Sequence, residues 1–365
     1  MKFARLLSAI LAFMLISGCA AVAEGDVVVV SLGDSYASGE GIEPFYGQDK
    51  PLSEKVLDQN WLAHRSEKSW AGLLRVPGIE GPLNENRGEY IRNADGSYTL
   101  LQAGSWFFVA ASGAKCCDLF KEQRKYVSRR ENGVTVDRTF ALYPQLYIFD
   151  ALAADGRKAD YVTLTLGGND MGFANIIAAA LVNGPLLSGA GEDILGEYAD
   201  IDLYTLLDTL WESFHAEGGQ KQTIKAAYRA IAEAAGDQAT IIVAGYPTFL
   251  GESENSFIFS NEDVKYINES TRRFNSEIET ITRELCQEGY NICFVSVESE
   301  FAGKEAYSGA RDEMINRVSL GAKAQDLVQD SLVSSYIIHP NARGAEAYAR
   351  CIQQKIDELE QAKGK

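Results

Sequence analysis

Five short apolar runs constrain this chain more than any other feature: Val27 to Leu32, Trp106 to Ala111, Tyr161 to Leu166, Thr240 to Ala244 and Ile292 to Val297. Each is closed by turn residues and rich in β-branched or aromatic side chains, the pattern of a strand buried on both faces. Between them, apolar residues at helical spacing predict helices over Gln222 to Ala235, Glu262 to Glu288 and Ala342 to Lys363. Strands separated by helices predict an α/β fold, a three-layer α/β/α sandwich with a mainly parallel sheet. In such sheets the working residues sit just beyond the carboxyl ends of strands.

Two long stretches break the alternation and are expected as insertions in a single domain spanning residues 19–365. One, at about 38–105, is polar and turn-rich, with a hairpin expected around Asn93-Ala94-Asp95-Gly96. The other, at about 181–219, contains the apolar segment Leu181 to Leu187. Loops of that length in a compact domain are usually functional or disordered.

Residues 1–18 read as an export signal. Lys2 and Arg5 precede an apolar run from Leu6 to Ile16, too short for a mature membrane span, and Ser17-Gly18 lead into Cys19. Small residues directly before a cysteine resemble a bacterial lipobox. That resemblance implies cleavage before Cys19, lipidation of Cys19 and a membrane lipoprotein facing the extracytoplasmic side; the alternative is a soluble secreted protein.

Export permits disulfides. Cys286 and Cys293 flank a turn between an expected helix and strand and form the favoured bridge, while the pairing of Cys116, Cys117 and Cys351 stays open. No cysteine or histidine spacing points to a metal, and no cofactor is implied. With 51 acidic against 34 basic residues and a net charge of −17, the chain is unsuited to binding nucleic acid.

Two of the strands end in turns that carry polar residues. Gly33-Asp34-Ser35 follows the first, and Gly167-Gly168-Asn169 follows the third. Glycine and aspartate suffice for a turn; the serine is left over and is a candidate nucleophile if a base can take its proton. Of the three histidines, His215 reads as a packing or surface residue and His64 has no evident orienting partner. His339, in Tyr-Ile-Ile-His-Pro-Asn, is held on a loop by the proline that follows it. Gly33-x-Ser35-x-Ala37 approaches the α/β-hydrolase nucleophile elbow, but that fold carries its serine after several strands, not after the first.

Four pieces in order, "GDSYASGEG", "AASGAKC" at 110–116, "LGGND" at 166–170 and "HPNARG" at 339–344, resemble the four blocks of the SGNH, or GDSL-like, hydrolase superfamily. With "VAGYP" at 243–247 and "FAGKEAYSG" at 301–309, they are similar to secreted actinobacterial-type SGNH esterases and lipases. The resemblance implies a flavodoxin-like sandwich. It also implies Ser35 as nucleophile, His339 as general base, and the Ser35 amide, the Gly113 amide and the Asn169 side chain as oxyanion donors.

The pattern fails at one place. The family's usual acid three residues before the histidine is replaced by Tyr336. By analogy with members that use a backbone carbonyl, that of Tyr336 is expected to orient His339, with Asp326 or Asp330 as carboxylate alternatives. The expected function is an extracytoplasmic serine esterase acting on carboxylic esters of lipid or acyl type. A glycan O-acetylesterase of the same fold and a non-catalytic surface binding lipoprotein are the alternatives. The corresponding partners are an ester substrate, lipid or acylated glycan, and the membrane through Cys19.

Overall fold

The computed structural model describes residues 27–183, 202–252 and 258–363. The signal segment, Cys19 and the part of the second expected insertion at 184–201 lie outside the described residues. Nine strands are present among the described residues: β1 (Val29–Gly33), β2 (Arg87–Arg92), β3 (Tyr98–Gln102), β4 (Trp106–Phe108), β5 (Gln123–Glu131), β6 (Val134–Leu142), β7 (Tyr161–Thr165), β8 (Thr240–Ala244) and β9 (Ile292–Val295). Seven form one sheet in the order β3-β2-β4-β1-β7-β8-β9, parallel except for the edge strand β3, which runs antiparallel to β2. Helices cover both faces, as the alternation of short apolar runs and helical spacings requires.

The helices that bear on the site are α1 (Ser35–Ser38), α2 (Tyr147–Ala154), α3 (Gly168–Met171), α4 (Phe173–Asn183), α5 (Leu203–His215), α6 (Gln220–Ala235), α7 (Asn261–Gln287) and α8 (Ala342–Lys363). The sequence-derived bounds of β8 and α8 agree with these, and those of α6 and α7 lie within two residues. Residues of β1, β7 and β8 are buried throughout, because a central parallel strand has helices on both of its faces. β1 lies between β4 and β7, so the chain leaves it at the point where the strand order reverses, and a crevice opens there.

Two differences from the expected elements matter. The run Trp106 to Ala111 is regular strand only to Phe108, yet its backbone keeps following β1. The amides of Val109 and Ala110 donate to the Ser31 carbonyl and that of Ala111 to the Gly33 carbonyl, which carries the chain to the end of β1 at Ser112 and Gly113. The second difference is the β5–β6 hairpin, which pairs residue for residue from Gln123↔Leu142 to Glu131↔Val134 as a separate two-stranded sheet. Its mostly polar, half-exposed residues hide it from a search for apolar runs. The signal that marks it is Asn132-Gly133, both at positive φ (50° and 82°), the tight-turn pair that matches strand twist.

All five described cysteines are free thiols, so the expected Cys286–Cys293 bridge is not formed. Cys286 is exposed at the end of α7. Cys293 is half-buried in β9, where burial pushes its thiol up to about 11 and the charges of Lys355 and Glu358 in α8 reach it.

The core between the sheet and α4–α7 is aromatic. Phe274 of α7 is fully buried and stands within 6 Å of the rings of Phe173, Phe214 and Tyr246. Phe274→Ala leaves a cavity that those rings cannot fill, and is expected to destabilise the fold by about 3–5 kcal/mol. Urea unfolding of the two proteins checks this.

Candidate active site

The serine is presented by a turn that a buried carboxylate ties to two neighbouring strands. Gly33 ends β1 at φ 117°, and any side chain there would collide with the Thr165 carbonyl oxygen of β7. Asp34 then caps α1, its Oδ1 accepting from the Tyr36 amide (3.0 Å) and the Thr165 hydroxyl (2.6 Å), while Oδ2 accepts from the Tyr246 hydroxyl beyond β8. Burial pushes the Asp34 carboxyl up to about 6, against the pull of these hydrogen bonds. The clamp fixes Ser35, itself 7% exposed, at the mouth of the crevice.

His339 reaches that serine from 304 residues away in sequence, with Nε2 2.8 Å from Ser35 Oγ. Its Nδ1 lies 2.9 Å from the carbonyl oxygen of Ile337. A carbonyl can only accept, so Nδ1 carries the proton and Nε2 is left bare to receive the serine hydroxyl.

The carbonyl is therefore that of Ile337, whereas the sequence points to that of Tyr336. The reason is the left-handed turn at Ile338 (φ 59°), which folds the chain back so that the carbonyl two residues before the imidazole faces it. The Tyr36 hydroxyl donates to the Ile338 carbonyl (2.6 Å) and holds this turn. The Tyr336 hydroxyl is spent on Glu43 (2.8 Å). Asp326 accepts from the Ser335 and Lys323 amides, shares the one Ser335 hydroxyl proton with Glu40, and makes no hydrogen bond to the imidazole. Burial lowers the His339 pKa, opposed by Glu40 and by the carbonyls of Ile337 and Ser335.

Glu40 is the acid whose charge acts on His339, and no motif in the sequence assigns it that role. Fully buried, it faces His64 Nδ1 at 2.8 Å and accepts from the Ser335 hydroxyl at 2.8 Å. Burial alone would raise its pKa, but His64, His339 and a Ser112 hydrogen bond hold it at about 2, so it is ionised. His64, left without a role in the sequence, is thus the partner of this carboxylate. His215 lies elsewhere, exposed beside Trp211 and Arg273.

Ser35, Gly113, Asn169 and His339 line one cavity. The amides of Ser35 and Gly113 have no hydrogen-bond acceptor among the described residues. Gly113 has φ 70°, a conformation natural to glycine. Asn169 opens α3, and its Nδ2 donates to the Ala114 carbonyl (2.9 Å), which leaves its second N–H uncommitted. The cavity measures about 300 Å³ and extends over the apolar side chains of Phe173, Ile177, Ala178 and Leu181 on α4 and of Phe249. Of the apolar segment Leu181 to Leu187, Leu181 forms part of this wall; residues 184–187 lie outside the described residues.

No family model and no curated protein matches the chain. Solved structures do. An extracellular lipase from Streptomyces rimosus is 21% identical, with 90% of this chain and 99% of that one covered at a TM-score of 0.54. A phospholipase A1 from Streptomyces albidoflavus is 19% identical, with 91% and 100% covered and a TM-score of 0.53. Similarity at this identity speaks to architecture. A seven-stranded, mostly parallel sheet with helices on both sides, matched over nine-tenths of the chain, identifies the fold as SGNH hydrolase-like.

Proposed function

We propose that this protein is an extracytoplasmic serine esterase that hydrolyses carboxylic esters with an apolar acyl group. The observation that carries the reading is the chain of contacts from Ser35 Oγ through His339 to the Ile337 carbonyl. His339 Nε2 takes the Ser35 proton as Oγ attacks the ester carbonyl. The tetrahedral oxyanion is received by the amides of Ser35 and Gly113 and the free N–H of Asn169. Collapse expels the alcohol, which leaves with the proton from Nε2. Water then enters, gives a proton to His339 as its oxygen attacks the acyl carbon, and the acid leaves as Ser35 Oγ takes that proton back from Nε2.

The Ile337 carbonyl does one part of what a triad acid does: it fixes the tautomer. Loss of that control in a serine protease costs about 10⁴ in kcat. The apolar α4 wall of the cavity favours a longer acyl chain over acetate, and a lipase and a phospholipase A1 are among the similar solved structures. Export and anchoring through Cys19 rest on the leader sequence.

Hydrolysis of nitrophenyl esters of increasing chain length tests the reading. The expected kcat/KM rises from acetate to medium chains, and Ala178→Trp, which fills the α4 wall, reverses the order. A sharp preference for acetate would contradict the acyl assignment. Asn169→Ala is expected to lower kcat by about 10²- to 10³-fold with the fold intact by circular dichroism. The base must be neutral to act and burial lowers its pKa, so activity is lost on acidification only below the ordinary histidine value of about 6.5. A kcat/KM profile whose rising limb lies above that value would contradict the assignment.

A further inference from the structure

Two side chains of the β5–β6 hairpin converge on one backbone oxygen. Lys125 Nζ and Gln123 Nε2 (2.8 Å) both donate to the carbonyl of Ser112. They stand two residues apart in β5 and so point to the same face of the hairpin. That carbonyl belongs to the peptide unit whose N–H is the Gly113 amide, and a Cβ placed on Gly113 would lie 3.6 Å from Gln123 Nε2 and 3.9 Å from Lys125 Nζ. Ser112 forms part of the wall between the catalytic cavity and a second cavity of about 410 Å³, which Lys125 lines from the other side.

We infer that Lys125 is a positioning residue that strengthens the oxyanion hole through the Ser112–Gly113 peptide. The inference rests on the esterase reading above. Amide resonance couples the two ends of a peptide, so a cation on the oxygen draws electron density from the nitrogen and makes the N–H a better donor. The lysine and the glutamine also hold the peptide plane, so the Gly113 amide is fixed before charge develops on the substrate. Lys125 lines the second cavity and not the one that holds Ser35 and His339.

Other groups around it agree with this role. Burial lowers the Lys125 pKa to about 8; Glu40 and Asp118 favour its charge and Arg65 opposes it. His64 and Asp326 line the same second cavity but are committed to Glu40 and Ser335, and Arg124 and Tyr126 of β5 are exposed. The Ser112 carbonyl does not depend on the lysine for a partner, since Gln123 also donates to it.

Steady-state kinetics of the wild type, Lys125→Met and Lys125→Arg on a soluble nitrophenyl ester test the inference. For Lys125→Met we expect kcat to fall by about 10- to 100-fold with KM changed less than about twofold, because the interaction is made in the transition state. Lys125→Arg restores part of the loss. In the wild type kcat falls as pH rises through about 8, where the ammonium loses its proton, and Lys125→Met lacks that limb. The inference is overturned if Lys125→Met keeps wild-type kcat, or if the alkaline limb is absent from the wild type or persists in the variant. The wild-type profile needs no variant to fold. An inactive wild type would instead remove the esterase reading itself.

Discussion

The structure depends on one buried carboxylate. Asp34 gathers a backbone N–H from its own turn, a hydroxyl from β7 and a hydroxyl from the loop after β8, so that the ends of three adjacent strands meet at a single side chain. Without it, the turn after Gly33 would be one more glycine-rich exit from a strand. With it, Ser35 is held where the strand order reverses, and the loop after β4 arrives beside it because that loop follows β1 to its end. Burial resists the negative charge, and the three donors oppose that resistance.

The histidine is held by a different device. A left-handed residue, a carbonyl and a tyrosine hydroxyl form a rigid backbone hook that does the positioning usually given to an acid. Negative charge is still close at hand in Glu40, which comes from the same amino-terminal block as the serine and reaches the histidine loop through Ser335. On the esterase reading proposed above, the positioning and electrostatics that one residue joins in a triad are divided between the Ile337 carbonyl and Glu40.

Much of this was legible in the sequence because it depends on local patterns. Buried parallel strands are apolar throughout, and the ordered turns with a late histidine mark the cavity where Ser35, Gly113, Asn169 and His339 now meet. What escaped depends on contacts without a period. The choice between the carbonyls of Tyr336 and Ile337 turns on one φ angle at Ile338, which the residue type argues against. Glu40 and His64 are 24 positions apart and look like solvated charges until the fold buries them together. The β5–β6 hairpin is too polar for a search by apolar runs, although Asn132-Gly133 announces it.

If the turn after β1 presents an activated nucleophile, as proposed, Ser35 is open to covalent labelling. Purified protein treated with a fluorophosphonate, digested and mapped by mass spectrometry should carry a single phosphonyl adduct on Ser35, and His339→Ala should carry none under the same exposure. Folded protein that takes up no label, or takes it up at another serine, would contradict the account.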